Sequence, residues 1–190
     1  MLTTTDIKTE LRTMMNGVAS AAMREAGMTA DYRVNFGVEL PRLTALAADI
    51  AAQTPSDALA PLAQQLWNER VRECRILGTM LYPAAQFDGE LADIWVDDIR
   101  TAELAQIAAL NLFSQMTSAS VKAFEWIASD SDMRQIAGYY TLAHLLRTCV
   151  LNERSANELR DQAQAAQGSA NAALRMAALR AVSRLDASLA

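Results

Sequence analysis

Apolar side chains recur at intervals of three and four residues along almost the whole of this 190-residue chain. Near the N-terminus the steps run through Ile7, Leu11, Met15 and Val18. This spacing is the period of one face of an α-helix. Glycine and proline, which interrupt helices and mark turns, number only seven and four. The pattern predicts an all-α protein and leaves almost no room for a β-sheet.

The breaks between the periodic segments place the helices. Gly27 is a candidate C-terminal cap, an extended or loop segment is predicted over 32–37, and Pro41 suits a helix start. Helices are predicted near residues 6–26, 41–52, 57–68, 70–82, 87–98, 101–116, 118–129, 131–150, 152–167 and 169–188. The candidate N-caps in the second half of the chain are Asp88, Ser118, Ser131 and Ser169.

Successive helices are joined by short polar turns, and the helix pairs recur at intervals of roughly 30–45 residues. This period is typical of HEAT-type repeats, so we predict an all-α, HEAT-like α-solenoid of antiparallel helix pairs forming a single domain over residues 1–190. The repeat is degenerate, and a one-off helical bundle is the alternative that the period alone leaves open.

Composition limits the class of function. No run is long or apolar enough to cross a bilayer, and no secretory signal is recognisable, so we expect a cytoplasmic, monomeric protein without membrane contact. Cys74 and Cys149 lie in apolar helical contexts and are predicted to be buried, reduced thiols. With one histidine and no CxxC spacing, neither a metal site nor a cofactor is predicted.

The net charge of −5 is spread unevenly. Residues 49–133 carry thirteen acids and five bases, whereas residues 134–190 carry seven bases and four acids. An acidic protein has no general attraction for nucleic acid, so a local basic surface would be needed to bind it. The C-terminal third is the part of the chain that could supply such a surface.

Three segments carry a resemblance to a known family. They are Tyr32-Arg-Val-Asn-Phe-Gly-Val-Glu-Leu-Pro-Arg-Leu43, Leu66-Trp-Asn-Glu-Arg-Val-Arg-Glu-Cys-Arg-Ile-Leu77 and Phe124-Glu-Trp-Ile-Ala-Ser-Asp130. In this order and spacing they resemble motifs of the DNA alkylation repair family, the AlkD-like glycosylases. The resemblance implies stacked HEAT-like helix pairs with a concave face for duplex DNA. It also implies removal of cationic alkylated purines, assisted by an Asp, Trp rings and an Arg.

The resemblance also suggests site residues. Trp95 is the predicted sugar-facing ring, and Asp98, three residues later, is the predicted catalytic carboxylate; Asp97 is the other carboxylate that could take this role. A carboxylate can stabilise an oxocarbenium-like sugar, and an aromatic face attracts developing positive charge. The alternative is a core tryptophan beside an acidic surface turn.

Five arginines are the predicted DNA contacts. Arg134 is the nearest match to the family's arginine, although a structural ion pair is an equal alternative for it. The others lie in the basic C-terminal third: Arg147, Arg175, Arg180 and Arg184. They could equally form the solvated face of a terminal capping helix. Two functions therefore stay open: a duplex-binding alkylpurine N-glycosylase, and a catalytically silent HEAT-like module that binds a protein or nucleic-acid partner.

Overall fold

Helices make up most of the computed structural model, which describes residues 2–28 and 32–189. The chain divides into two compact units, the first extending to Gln86 and the second beginning at Phe87. Within the described ranges there is no β-strand, and the single β-bridge joins Val34 to Val71. The prediction of an all-α protein is confirmed.

The N-terminal unit contains five α-helices in its described part. They are α1 (Thr4–Thr13), α2 (Gly17–Glu25), α3 (Leu40–Gln53), α4 (Ser56–Asn68) and α5 (Arg72–Leu81), followed by a 3-10 turn at Ala84–Gln86. Helix α5 packs against α4 and α3, and α1 contacts α4. Helices α1, α3 and α4 bury the apolar face that the sequence period predicts, whereas α5 is buried on nearly all sides.

The single helix predicted over 6–26 is instead two helices. The helix is interrupted at Asn16, because its side-chain oxygen accepts the N–H of Ala19 at 3.0 Å and caps the start of α2. Its own N–H is donated to the carbonyl of Phe36 at 2.9 Å. Gly37 makes this approach possible: its φ is +71°, and a Cβ there would lie 2.3 Å from the Asn16 carbonyl oxygen.

A buried ion pair fastens the extended segment that follows. The Glu73 carboxylate, which is fully buried, accepts the N–H groups of Phe36 at 3.1 Å and Val38 at 3.2 Å. The Arg72 guanidinium donates to Glu73 at 3.1 Å and to the Val38 carbonyl at 3.2 Å. Since these backbone groups have no helix or sheet to satisfy them, α5 supplies their partners.

The second unit contains six α-helices in its described part. They are α6 (Gly89–Asp98), α7 (Ala102–Asn111), α8 (Ala119–Ile127), α9 (Asp132–Leu145), α10 (Glu153–Ala166) and α11 (Ala172–Leu189), with a 3-10 turn at Phe113–Gln115. Helix α9 packs against α6, α7, α8 and α11. Gly138 allows the approach of α8, because a Cβ there would lie 2.6 Å from the Ala123 carbonyl oxygen.

An aromatic cluster fills the core of this unit. Phe87 meets Trp95 edge-on at 5.1 Å between ring centroids and stacks with Phe113 at 6.0 Å. Phe113 meets Trp126 edge-on at 5.0 Å. Such offset and edge-to-face contacts add stabilisation beyond the area that the rings bury.

Two of the four predicted N-caps are confirmed. Asp88 accepts the N–H of Leu91, and Ser131 caps α9. Ser118 occupies its N-cap position without a capping hydrogen bond. Ser169 precedes the first turn of α11, where the Asn171 side chain accepts the first free N–H groups instead.

The two cysteines lie in different surroundings. Cys74 is buried in α5 as predicted, and burial raises the pKa of its thiol to about 12. The prediction is wrong for Cys149, which is exposed because α9 ends at Leu145 and the chain then turns along the surface.

Candidate nucleic-acid interface and carboxylate site

Two carboxylates on α6 lie one helical turn apart and bind cations from neighbouring helices. Asp97 accepts two parallel hydrogen bonds from Arg134 of α9, at 2.5 Å from Nε and 2.6 Å from Nη2. Asp93 accepts the Nζ of Lys122 and the indole N–H of Trp126, both at 2.8 Å and both from α8. The pairs join α6 to α8 and α9 through charge-assisted hydrogen bonds.

Both carboxylates are held in the ionised form. The hydrogen bonds from Arg134 lower the pKa of Asp97. Burial alone would raise the pKa of Asp93, but the hydrogen bonds from Lys122 and Trp126 outweigh it and lower this pKa as well. The Asp97 side chain is nevertheless 58% exposed, so its charge is accessible from solvent.

The two predicted catalytic residues lie in the last turns of the same helix. Trp95 is fully buried, with its ring against Phe87, so the indole presents no face to solvent. Asp98 is partly exposed. It is the neighbouring Asp97 that meets the guanidinium of Arg134. The catalytic roles of Trp95 and Asp98 stay predictions.

Three of the predicted DNA contacts come together at one surface of the second unit. Arg147 follows the end of α9, Arg180 and Arg184 lie one turn apart on α11, and all three side chains are exposed. Arg147 and Arg184 line an open cavity of about 420 Å³. We call Arg147, Arg180 and Arg184 the arginine cluster.

The half-buried His144 of α9 lies within the field of this cluster. Burial lowers the pKa of His144 first, and the charges of Arg147, Arg180 and Arg184 lower it further. Burial raises the pKa of Tyr140, one turn earlier, while Arg180 opposes that rise. All three arginines therefore act electrostatically on His144 and one of them on Tyr140, and they form no side-chain hydrogen bond or ion pair with the described part of the chain.

The other two predicted arginines do not join the cluster. Arg134 is engaged by Asp97, which is the structural ion pair that the sequence left open. Arg175 is partly buried and donates to the Ser169 carbonyl at 2.6 Å, which closes the loop before α11. A helical period places such residues on a face but does not reveal which carbonyls or carboxylates lie opposite them.

A model of the DNA alkylation repair enzyme family matches residues 7–188. The chain belongs to the DNA alkylation repair enzyme family. The match extends through nearly all of the helices described above, so the family resemblance predicted from three short motifs is confirmed.

A solved structure shares the fold of this DNA alkylation repair family protein. It represents "a new family of proteins related to the HEAT-like repeat DNA glycosylases with affinity for branched DNA structures". The two superpose with a TM-score of 0.84 at 15% sequence identity, over 99% of this chain and 77% of the other. The predicted HEAT-like repeat fold is confirmed. A search of curated proteins returned no match.

Sequence reasoning missed part of the charged network of this family member. Asp93 and Lys122 were not predicted as partners, although Asp93 and Asp97 have the four-residue spacing that puts two side chains on one helix face.

Within residues 2–28 and 32–189, no cluster of three His, Cys, Asp or Glu side chains could hold a metal. No helix in those ranges has the length and apolarity needed to cross a membrane.

The lowered pKa of His144 predicts a pH dependence of stability. In the unfolded chain His144 takes up its proton near pH 6.5, whereas in the folded protein burial and the arginine cluster oppose protonation. The unfolded state therefore binds more protons, and the free energy of unfolding should fall as the pH drops through about 6.5. Each unit of difference between the folded and unfolded pKa of His144 corresponds to about 1.4 kcal/mol in the free energy of unfolding.

Urea unfolding at several pH values would measure this effect, with His144→Gln as the comparison. The variant should lose less stability than the wild type between about pH 7 and pH 5. Parallel pH profiles for the two proteins would contradict the assignment to His144.

Proposed function

We propose that this chain is a DNA-binding member of its family and that the arginine cluster contacts the phosphate backbone. The observation that carries the proposal is the convergence of three exposed guanidinium groups around His144 without a carboxylate partner in the described residues. Like charges held together repel one another, and phosphate oxygens would relieve that repulsion while accepting paired hydrogen bonds.

Local charge matters here because the whole chain carries −5. A net negative protein gains no general attraction for DNA, so binding would depend on where the cations are placed. Arg160 of α10 is instead paired with Asp186 of α11 at 3.1 Å. The contrast between a paired and an unpaired arginine on neighbouring helices supports a ligand role for the unpaired ones.

Branched DNA is the ligand to compare with a linear duplex. The solved relative comes from a family described as having affinity for branched DNA structures. A branch point exposes bases that are not fully stacked, and aromatic side chains beside cations bind such bases. Tyr140 and His144 supply two partly exposed rings next to the arginine cluster, which supports a preference for the branched form.

Replacing the arginine cluster tests the proposal. We expect the variant with Arg147, Arg180 and Arg184 all changed to Gln to bind a four-way junction and a duplex more weakly. The slope of log K against log salt should decrease in magnitude by about 0.9 for each phosphate that is no longer neutralised, or by about 2.7 for three. Fluorescence anisotropy at several salt concentrations would measure both affinity and slope.

A matched control removes the same charge from exposed arginines elsewhere. Arg24, Arg42 and Arg154 are exposed, and changing all three to Gln should leave most of the affinity intact. Equal decreases in affinity for the two triple variants would contradict a specific site. Absence of DNA binding by the wild type at low salt would direct attention to an acidic protein surface as the partner of the cluster.

Base excision is a second candidate function, favoured by one observation. Asp97 is an ionised carboxylate, more than half exposed, and its position is fixed by two hydrogen bonds from Arg134. A carboxylate of this kind could stabilise the positive charge that develops on a deoxyribose when a cationic base leaves.

The excision test uses duplex DNA that carries methylated purines, followed by alkaline cleavage at abasic sites. Asp97→Asn and Asp98→Asn distinguish the two neighbouring carboxylates, and the one that acts should lose activity by at least about 100-fold, a typical loss for a stabilising electrostatic group. A wild-type protein that produces no abasic sites would exclude excision and leave the DNA-binding proposal in place.

A further inference from the structure

A second basic surface lies in the N-terminal unit, in a cleft that the sequence did not predict. Its volume is about 410 Å³, and its polar lining comes from the end of α1, the segment before α3 and the turn between α4 and α5. These polar residues are Lys8, Arg12, Arg33, Asn68, Glu69 and Arg70. We call this the α1 cleft.

The charge in the α1 cleft is strongly positive. Four of its lining residues are cations and one is a carboxylate, and that carboxylate is already neutralised because Glu69 accepts the Nζ of Lys8 at 2.8 Å. Arg12 and Arg33 are exposed and make no side-chain hydrogen bond or ion pair with the described residues. The cleft therefore holds a surplus of guanidinium donors directed at solvent in a protein that is acidic overall.

The backbone beneath these side chains is firmly held. The carbonyl of Arg70 accepts the N–H of Arg33 at 2.8 Å, and Val34 pairs with Val71 in the β-bridge. Lys8 and Arg12 lie one turn apart on α1, which places them on the same helix face. A site whose backbone is already ordered loses less conformational entropy when it binds a ligand.

We propose that the α1 cleft binds a phosphate group, and that in this protein the phosphate belongs to a nucleic-acid backbone. Arginine guanidinium groups bind phosphate through paired hydrogen bonds, and the Asn68 amide lines the same cleft as a further donor. The nucleic-acid source rests on the proposed function, whereas the recognition of phosphate does not. The other source of the same chemistry is a free phosphate compound.

The test changes Arg12 and Arg33 together to Gln and compares this variant with a control in which Arg24 and Arg42 are changed to Gln. All four arginines belong to the N-terminal unit and are exposed, so the two variants lose the same charge. Circular dichroism and thermal unfolding would verify that both variants fold. Binding to a junction and to a duplex would then be measured across a range of salt concentrations, and pyrophosphate would be titrated calorimetrically as the free phosphate.

In the DNA arm, removing the two cations that neutralise phosphates should reduce the salt slope by about 1.8 in the Arg12/Arg33 variant and leave the control close to the wild type. In the pyrophosphate arm, the wild type and the Arg24/Arg42 control should bind pyrophosphate, and the Arg12/Arg33 variant should not. Either result supports the α1 cleft as a phosphate site, and the arm that responds identifies the source.

The two proposals can fail separately. If the wild type binds no DNA but binds pyrophosphate through Arg12 and Arg33, the α1 cleft is a phosphate site and the proposed function is wrong. If the Arg12/Arg33 variant equals the control in both arms, the α1 cleft is not a phosphate site, while DNA binding by the arginine cluster of the other unit is unaffected.

Discussion

Changing Glu73 to Gln is expected to lower the free energy of unfolding by about 3–5 kcal/mol, the usual cost of removing one partner from a buried ion pair. The Glu73 side chain is fully buried and accepts hydrogen bonds from two backbone N–H groups and from Arg72. Glutamine can accept at one oxygen only, and its NH₂ group would face a donor. The variant would therefore remove the buried carboxylate that accepts hydrogen bonds from Arg72 and from the two backbone N–H groups.

Urea or thermal unfolding measures this decrease, with Glu25→Gln as the matched control in the same unit. Glu25 is exposed, so its replacement should change stability by no more than about 0.5 kcal/mol. A double variant, Arg72→Met with Glu73→Gln, should recover part of the stability because it also removes the buried guanidinium. A Glu73→Gln protein as stable as the control would contradict the role of this pair.

Changing Trp95 to Ala is expected to lower the free energy of unfolding by about 3–5 kcal/mol, as large-to-small substitutions of buried aromatics do. The indole is fully buried, and its contact with Phe87 connects it to the aromatic cluster of the second unit. The decrease combines the transfer of the ring to water with the cavity left behind. Trp95→Phe, which keeps an aromatic ring in place, should cost less.

Ile94 provides the matched control for Trp95, since it is the preceding residue of the same helix and is 65% exposed. Ile94→Ala should change stability by about 0.5 kcal/mol or less. These measurements also separate the two interpretations of Trp95. A Trp95→Ala protein that keeps its stability but loses base excision would show that the ring acts on substrate rather than in the core.

The helical period predicted most of the elements because it reports on local structure. Each amphipathic segment buries one face, and the spacing of its apolar residues shows that face without knowledge of the partner. The predicted helix over 57–68 is α4 at Ser56–Asn68, and the one over 87–98 is α6 at Gly89–Asp98. The caps at Asp88 and Ser131 were predictable for the same reason, since their hydrogen bonds reach only three residues along the chain.

The break between α1 and α2 was not predictable from the period, because a distant segment takes part in it. The apolar steps continue past Met15, and the local signal of a break is the Asn16-Gly17 turn dipeptide, which the apolar spacing alone does not register. The chain departs from the helix where Asn16 caps α2 and donates to Phe36. That contact depends on the position of the extended segment, which Glu73 in turn holds from α5.

The candidate sites likewise combine features that the sequence predicts with features that only the packing of distant helices decides. Residue type alone does not distinguish a paired guanidinium from a free one among the five arginines that the sequence predicted as DNA contacts: Arg134, Arg147, Arg175, Arg180 and Arg184. Arg134 lies 37 residues from Asp97 along the chain, and only the packing of α6 with α9 makes them partners. The α1 cleft likewise depends on three separate segments meeting.

By itself, the sequence determined the helical class, the positions of most helices, several caps and the membership of the DNA alkylation repair family. Only the tertiary structure decided which tryptophans are core, which arginines are neutralised and where unpaired cations gather. The physical reason is the distance along the chain over which each interaction acts. Helix formation and capping are governed by neighbours within about four residues, whereas burial and charge pairing depend on helices that the chain brings together from far apart.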